Sequence, residues 1–179
     1  RFWDSNGMDT RFANQMTLGP LVTTITSTAS LGTALDNGGI ATFYEYLAVV
    51  YCAIGDKVFR GLEVDGATEV YDNGTAQAGP LISFIGSDGT ERIYVGTGVG
   101  DTAGSAYSAD GATWTAIAAR TIFSAVEFDR KLVIGTANEI QYSSDGTTWT
   151  TLIPYGEGIR SLLIFMDRAG EPTLWVHDA

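Results

Sequence analysis

Carboxylates are the side chains of this sequence best suited to chemistry. The candidates lie beside short apolar runs: Asp88, Glu91, Asp101, Glu127 and Asp129. Hydrolysis of a glycosidic bond needs two carboxyl groups held across a cleft, one as an acid and the other as a base or nucleophile. None of these residues stands in a recognisable pair. The sequence therefore predicts a protein without enzymatic activity.

The residues that usually bind metals are scarce. The chain has one histidine, His177, and one cysteine, Cys52, too few for a zinc site of ordinary protein ligands. Cys52 lies in the apolar run YLAVVYCAI, which predicts a small buried side chain. The Gly- and Asp-rich stretch 98–111 lacks the spacing of a calcium-binding loop. We predict no metal and no cofactor.

The charge balance limits the class of partner. The chain has 10 Lys and Arg residues and 21 Asp and Glu residues, which gives a formal net charge of -11. Such a surface repels nucleic acid and anionic membranes, and no apolar run is long enough to span a bilayer. The remaining partners are other protein subunits and surface glycans. Aromatic side chains are candidates to line their binding face: Trp3, Tyr44, Tyr46, Tyr71 and Trp175.

The elements that would position these residues repeat along the chain, at a period of about 40 residues. In the third repeat, strand-like runs rich in Val, Ile, Thr, Tyr and Phe follow one another as IFSAVEFD, KLVIGTA, EIQYSS and TWTTLI. No stretch keeps the spacing of an amphipathic helix. The short links between the runs predict antiparallel hairpins.

The letters between the third and fourth runs are themselves repeated. YSADGATWTAI (107–117) returns as YSSDGTTWTTL (142–152), and each contains an Asp-Gly pair of the kind found in two-residue hairpin turns. Four antiparallel strands per repeat are typical of a β-propeller blade. A β-sandwich is the alternative, but it gives no reason for the turn letters to repeat. We predict an all-β protein, a β-propeller or propeller-like array of four-stranded antiparallel blades.

The repeated letters resemble the Asp-box of the sialidase-type repeat families. They form the pattern S-x-D-G-x-T-W at 108–114 and 143–149, with a weaker version at 62–70. The family motif usually has a residue between Asp and Gly, so this is a variant form. The resemblance implies a structural turn at the edge of a blade, away from any ligand. The residues assigned to that turn are Ser108, Asp110, Gly111, Trp114, Ser143, Asp145, Gly146 and Trp149.

The repeats divide the chain into predicted units. The blades are 41–80, 81–120 and 121–160, and 161–179 is a half blade. Residues 1–40 are a partial blade, its final hairpin turning at Asn6-Gly7, followed by a Thr/Ser/Gly-rich strand and loop. An open half blade leaves strand edges bare. It is expected to belong to a larger propeller, to meet residues 2–12 in a closed ring, or to be completed by another subunit.

The predicted function is that of a non-enzymatic structural or interaction module. The turn motif, acidic charge and Ser/Thr/Gly-rich links resemble propeller modules of phage tail and fibre proteins and of bacterial surface proteins. This resemblance implies a virion or extracellular location. The alternative is a fragment of a catalytic propeller, such as a glycoside hydrolase, with its active site in other blades. Asn73-Gly74-Thr75 matches the acceptor pattern for glycosylation at Asn73.

Overall fold

The structure is a computed structural model. It describes most of the second half of the chain and short parts of the first, namely residues 8–9, 17–18, 41–61, 67–74, 76–98, 104–117, 120–156 and 158–178. Within these ranges the regular elements are all β-strands, and no helix is found. The predicted all-β class is confirmed.

Three four-stranded antiparallel sheets follow one another, each with its strands in chain order. The first sheet contains β3 (Thr42–Tyr46), β4 (Val49–Ile54), β5 (Lys57–Arg60) and β6 (Thr68–Asp72). The second contains β7 (Ala78–Ile85), β8 (Glu91–Thr97), β9 (Ala106–Ser108) and β10 (Thr115–Ala116). The third contains β11 (Ser124–Phe128), β12 (Lys131–Gly135), β13 (Glu139–Ser143) and β14 (Thr150–Pro154).

Two hairpins flank these sheets. The final hairpin pairs β15 (Ile159–Met166) with β16 (Pro172–Asp178). The short strands β1 (Met8–Asp9) and β2 (Thr17–Leu18) pair with each other. Among the described strands β16 pairs with β15 alone, so no pairing between β16 and residues 2–12 is found there. Asn6-Gly7, Trp3 and most of 13–40 lie outside the described residues.

The sheet boundaries differ slightly from the predicted units. β7 begins at Ala78, so the predicted boundary between 80 and 81 falls inside a strand. The final hairpin begins at Ile159, before the predicted position 161. Both strands start early because the backbone joins the sheets there: the Ala78 nitrogen donates to the Gly55 carbonyl at 2.7 Å, and the Ile159 nitrogen donates to the Thr136 carbonyl at 3.0 Å.

The prediction of two-residue hairpins at Asp110-Gly111 and Asp145-Gly146 is wrong. Residues 109–114 separate β9 from β10, and residues 144–149 separate β13 from β14. Tight turns instead join the first two strands of the first and third sheets. Leu47 and Ala48 have φ of 50 and 58°, and Asp129 and Arg130 have φ of 49 and 56°. Positive φ at both central residues is the type I′ geometry that suits the twist of paired strands.

The sheets stack face to face in chain order. β7 contacts β3 and β4 of the sheet before it and β11 of the sheet after it, and β15 contacts β11 and β12. We call the face of a sheet that meets the next sheet its forward face and the opposite face its back face. Apolar side chains of the two facing surfaces form one core cluster at each junction.

The forward faces are built from equivalent positions. The register of the first two strands in each sheet aligns Tyr51 with Tyr94 and Val133, and Tyr46 with Phe84 and Phe128. At the first junction Tyr46 and Tyr51 pack with Leu81, Ile93 and Val95 from the back face of the second sheet. At the second, Phe84 and Tyr94 pack with Leu132 and Ile134. Three of the core clusters of the described residues therefore lie between sheets.

Candidate functional site

Each repeated turn is closed by a serine and an aspartate side chain. In the first turn the Asp110 Oδ1 accepts hydrogen bonds from the Ser108 hydroxyl at 2.9 Å and from the backbone nitrogens of Ala112 and Thr113 at 2.8 and 2.7 Å. The Gly111 nitrogen donates to the Ser108 Oγ at 2.8 Å. Backbone N–H groups that no strand pairs are thereby satisfied.

The second turn repeats the same set of bonds. The Asp145 Oδ1 accepts from the Ser143 hydroxyl at 2.9 Å and from the nitrogens of Thr147 and Thr148 at 2.7 and 2.6 Å. The Gly146 nitrogen donates to the Ser143 Oγ at 2.8 Å. The repeated letters thus build one turn geometry twice, in successive sheets.

The glycine of each turn is held by a tyrosine of the preceding sheet. The Tyr51 hydroxyl donates to the Gly111 carbonyl at 3.3 Å, and the Tyr94 hydroxyl donates to the Gly146 carbonyl at 3.1 Å. Gly111 and Gly146 have φ of 69 and 79°, and a Cβ at either position would overlap the tyrosine hydroxyl. Glycine is required both by the backbone conformation and by the close approach.

The two motif tryptophans pack back onto the preceding sheet. Trp114 lies 5.3 Å, centroid to centroid, from Tyr71 of the first sheet. Trp149 packs against the cluster that contains Phe84 and Tyr94 of the second sheet. Both are half-buried. Their Nε1 atoms are buried, and neither has a hydrogen-bond partner in the described part of the chain. The indoles therefore contribute through apolar packing.

The turn hydrogen bonds lower the pKa of both aspartates. For Asp145 the main causes are the bonds from the Thr148 and Thr147 nitrogens, and for Asp110 those from Thr113 and Ala112. Donated hydrogen bonds stabilise the ionised carboxylate, which holds its pKa well below the usual range. Both groups therefore remain charged acceptors under ordinary conditions.

Stability is expected to fall in acid because of these aspartates. A folded-state pKa below the unfolded value of 3.8 gives stability that is fully present above pH 3.8 and is lost as pH falls below it. Asp145→Asn keeps the Oδ1 acceptor but cannot titrate. Its urea unfolding free energy, followed from pH 5 to about pH 2, is expected to decline less steeply than that of the unmodified chain. An unfolding free energy that declines equally steeply in the two proteins would contradict the assignment of acid sensitivity to Asp145.

The described candidate catalytic carboxylates are distributed over the first hairpins of two sheets. Asp88, in the β7–β8 turn, forms an ion pair with Arg92 at 2.5 Å, and hydrogen bonds from that guanidinium lower the Asp88 pKa. Glu91 is the first residue of β8. Glu127 is exposed on β11. Asp129 lies in the turn that follows β11, and its Oδ2 is 3.6 Å from the Lys131 Nζ. Asp101 lies outside the described residues.

Cys52, His177 and Asn73, which the sequence analysis also considered, lie in different environments. Cys52 is buried, and burial raises the pKa of its thiol to about 11. His177 is exposed on β16. No group of His, Cys, Asp or Glu that could hold a metal ion occurs among the described residues. The Asn73 amide nitrogen, where a glycan would be attached, donates to the Gln77 carbonyl at 3.2 Å.

The aromatic candidates do not form one surface. Tyr46 is buried between the first two sheets, whereas Tyr44 and Tyr71 are half-buried at that junction. Tyr44 and Tyr46 hydrogen-bond to the second sheet, the first with the Ser83 hydroxyl at 3.0 Å and the second to the Glu91 carbonyl at 2.9 Å. Trp175, on the final hairpin, is the exposed member of the set within the described ranges.

A polar groove that sequence reasoning missed lies beside the second repeated turn. Its volume is about 290 Å³, and it opens between the β7–β8 turn and the β13–β14 turn. It is lined by Ser87, Tyr142, Ser144, Asp145, Thr148 and Thr150. Ser87 comes from one sheet and the remaining residues from the next. A site of this kind depends on how two sheets pack, which a local sequence pattern does not predict.

Comparison with known proteins shows similarity in fold alone. No protein-family model and no curated protein matches the sequence. Two solved structures of the extracellular domain of BT4673 from B. thetaiotaomicron match 75% and 77% of this chain, with TM-scores of 0.55 and 0.54 and sequence identities of 15% and 16%. One describes a proposed one component system and the other a proposed hybrid two component system. The chain spans about a fifth of their length, 19% and 20%.

No helix within the described ranges is long and apolar enough to cross a membrane.

Proposed function

We propose that this chain is a non-enzymatic interaction module of an extracellular assembly, built from successive blades of a β-propeller. The observation that carries the proposal is the repeated junction between sheets. At each one, the forward face of a four-stranded sheet meets the back face of the next, and their first strands contact each other. Blades of a propeller are packed in this way around their axis.

Two comparisons support the location. The solved structures with a similar fold are extracellular domains, which supports an extracellular surface in general. The resemblance of the Asp-box-like turns to phage tail and fibre modules supports the narrower setting of a virion surface. The net charge of -11 favours neutral or basic partners in either setting.

The forward face of the final hairpin is the surface that could take part in such an assembly. Its side chains Leu163, Phe165 and Trp175 are 49, 52 and 60% exposed. At the positions equivalent to Trp175, Tyr51 and Tyr94 are 1 and 0% exposed, because the next sheet covers them. By continuity with those junctions, the partner is the apolar back face of another sheet of this type.

This surface is expected to cause concentration-dependent association of the isolated chain. Contiguous exposed apolar side chains associate to remove their area from water. In sedimentation velocity and dye-binding measurements, Trp175→Thr combined with Phe165→Thr is expected to reduce both association and dye fluorescence. Leu47→Asn is the matched control, since Leu47 is 56% exposed but stands in the β3–β4 turn at φ 50°, which asparagine tolerates.

An unmodified chain that stays monomeric and binds no dye would contradict an interaction role for this face. An equal effect of the Leu47 variant would show that the association is a general property of exposed apolar residues.

A further inference from the structure

We infer that the groove beside the second repeated turn binds one sugar unit of a neutral glycan. The inference deepens the proposed function by naming a ligand class, and it rests on that function because glycans are encountered at extracellular surfaces. The groove itself is a property of the described residues and does not depend on the number of blades.

The size of the groove suits a single ring. Its volume of about 290 Å³ is just below that of the smallest pockets for drug-sized ligands, about 300 Å³. It is open to solvent along one side, so the rest of a chain could continue outwards. The groove is therefore large enough to hold one unit and to leave its neighbours in water.

The lining side chains match the groups that a sugar offers. The hydroxyls of Ser87, Ser144, Thr148 and Thr150 can each donate and accept hydrogen bonds. The Asp145 carboxylate accepts only, and its pKa is lowered by the turn, so it remains ionised. Such a surface needs a ligand that brings several donors as well as acceptors, and sugar hydroxyls provide both.

The charge of the groove disfavours other ligands. The Asp145 carboxylate repels phosphates, sulfates and carboxylates, and so does the net charge of the chain. A bound divalent cation would need more acidic ligands than the one carboxylate in the lining. A neutral polyhydroxy compound is not repelled by the carboxylate and needs no further acidic ligands.

The walls of the groove are fixed before any ligand binds. The Ser87 nitrogen donates to the Ser144 carbonyl at 2.8 Å, which joins the two turns across the junction. The Arg92 guanidinium donates to the Asp145 carbonyl at 3.2 Å while it is held by Asp88. Preorganised walls reduce the entropy lost on binding, which matters for a small, weakly bound ligand.

The first repeated turn offers an internal comparison, because it lacks two of these hydroxyls. Ala109 stands where the second turn has Ser144. The β3–β4 turn, which corresponds to the turn that carries Ser87, consists of Leu47 and Ala48. The serine and aspartate of the turn itself are common to both copies, so the groove hydroxyls are not needed to build the turn.

The test is a titration of the whole isotope-labelled chain with neutral sugars, including glucose, galactose and N-acetylglucosamine, followed by NMR. Binding in the millimolar range is expected, with shifts confined to the residues around the groove. Ser87→Ala and Ser144→Ala are each expected to weaken the affinity about five-fold, the effect of one hydrogen bond of about 1 kcal/mol. Both side chains are exposed, so these variants are expected to keep the unmodified melting temperature.

The matched control is Thr113→Ala in the first turn, the counterpart of Thr148, which is expected to leave binding unchanged. Absence of shifts with every sugar, or shifts that survive both serine substitutions, would overturn the inference. Failure of the proposed function is recognised separately. A sugar that is cleaved would contradict a non-enzymatic module, and association through Trp175 without sugar binding would contradict the groove alone.

Discussion

Gly146→Ala is expected to lower the free energy of unfolding by about 2–4 kcal/mol. Two costs combine at this position. A side chain at φ 79° is strained by about 1 kcal/mol or more, and the new Cβ overlaps the hydroxyl of the fully buried Tyr94. Overpacking of a buried contact costs about 1–3 kcal/mol. Urea unfolding of the two proteins measures the sum.

Gly89→Ala separates these two costs. Gly89 has a similar φ of 76°, but no atom lies near its added Cβ. Its substitution is expected to cost about 1 kcal/mol, from the backbone alone. Combining Gly146→Ala with Tyr94→Phe removes the overlapping hydroxyl and is expected to recover part of the loss. Equal losses at the two glycines would contradict the close approach of Tyr94 to the turn.

Trp149→Ala is expected to cost about 3 kcal/mol, the lower part of the range for a large aromatic side chain. The indole is half-buried and packs on Phe84 and Tyr94 of the preceding sheet. Its removal leaves a cavity at the junction between the second and third sheets. Chemical unfolding checks the magnitude, and Leu152→Ala on the neighbouring exposed strand is expected to change stability by less than about 0.5 kcal/mol.

Trp149→Phe tests the reason for that cost. The indole nitrogen has no partner in the described part of the chain, so the loss of its N–H breaks no bond. We expect phenylalanine to retain more than half of the stability lost in the alanine variant. A phenylalanine variant as unstable as the alanine variant would mean that the nitrogen makes a bond essential to the fold.

The sheets were predictable because their signals are local. The runs around β12 and β13 contain β-branched and aromatic residues, and the strands end within a residue or two of the predicted bounds. The serine and aspartate of each turn were also readable, since both bond to backbone within three residues of themselves. The length of the turn could not be predicted, because an Asp-Gly pair suits both a two-residue turn and the longer turn that the side chains close.

The junctions and the groove were beyond sequence reasoning. Whether Tyr51 and Tyr94 are core or surface depends on the sheet that covers them, and the contact with Gly111 spans 60 residues. Trp175 holds the same register position and is exposed, although its local sequence gives no hint of the difference. Ser87 and Ser144 come from different sheets, so their proximity is a product of tertiary structure.

The tyrosine–glycine bonds between successive sheets have an evolutionary consequence. Through Tyr51 with Gly111, and Tyr94 with Gly146, the second sheet is both a donor to the sheet after it and an acceptor from the sheet before it. A gene segment encoding the second sheet therefore carries both halves of the connection. Its duplication joins the new copy to both neighbours without further mutation. Such an array can lengthen by whole units while its copies diverge at positions outside that connection, as Ala109 and Ser144 have done.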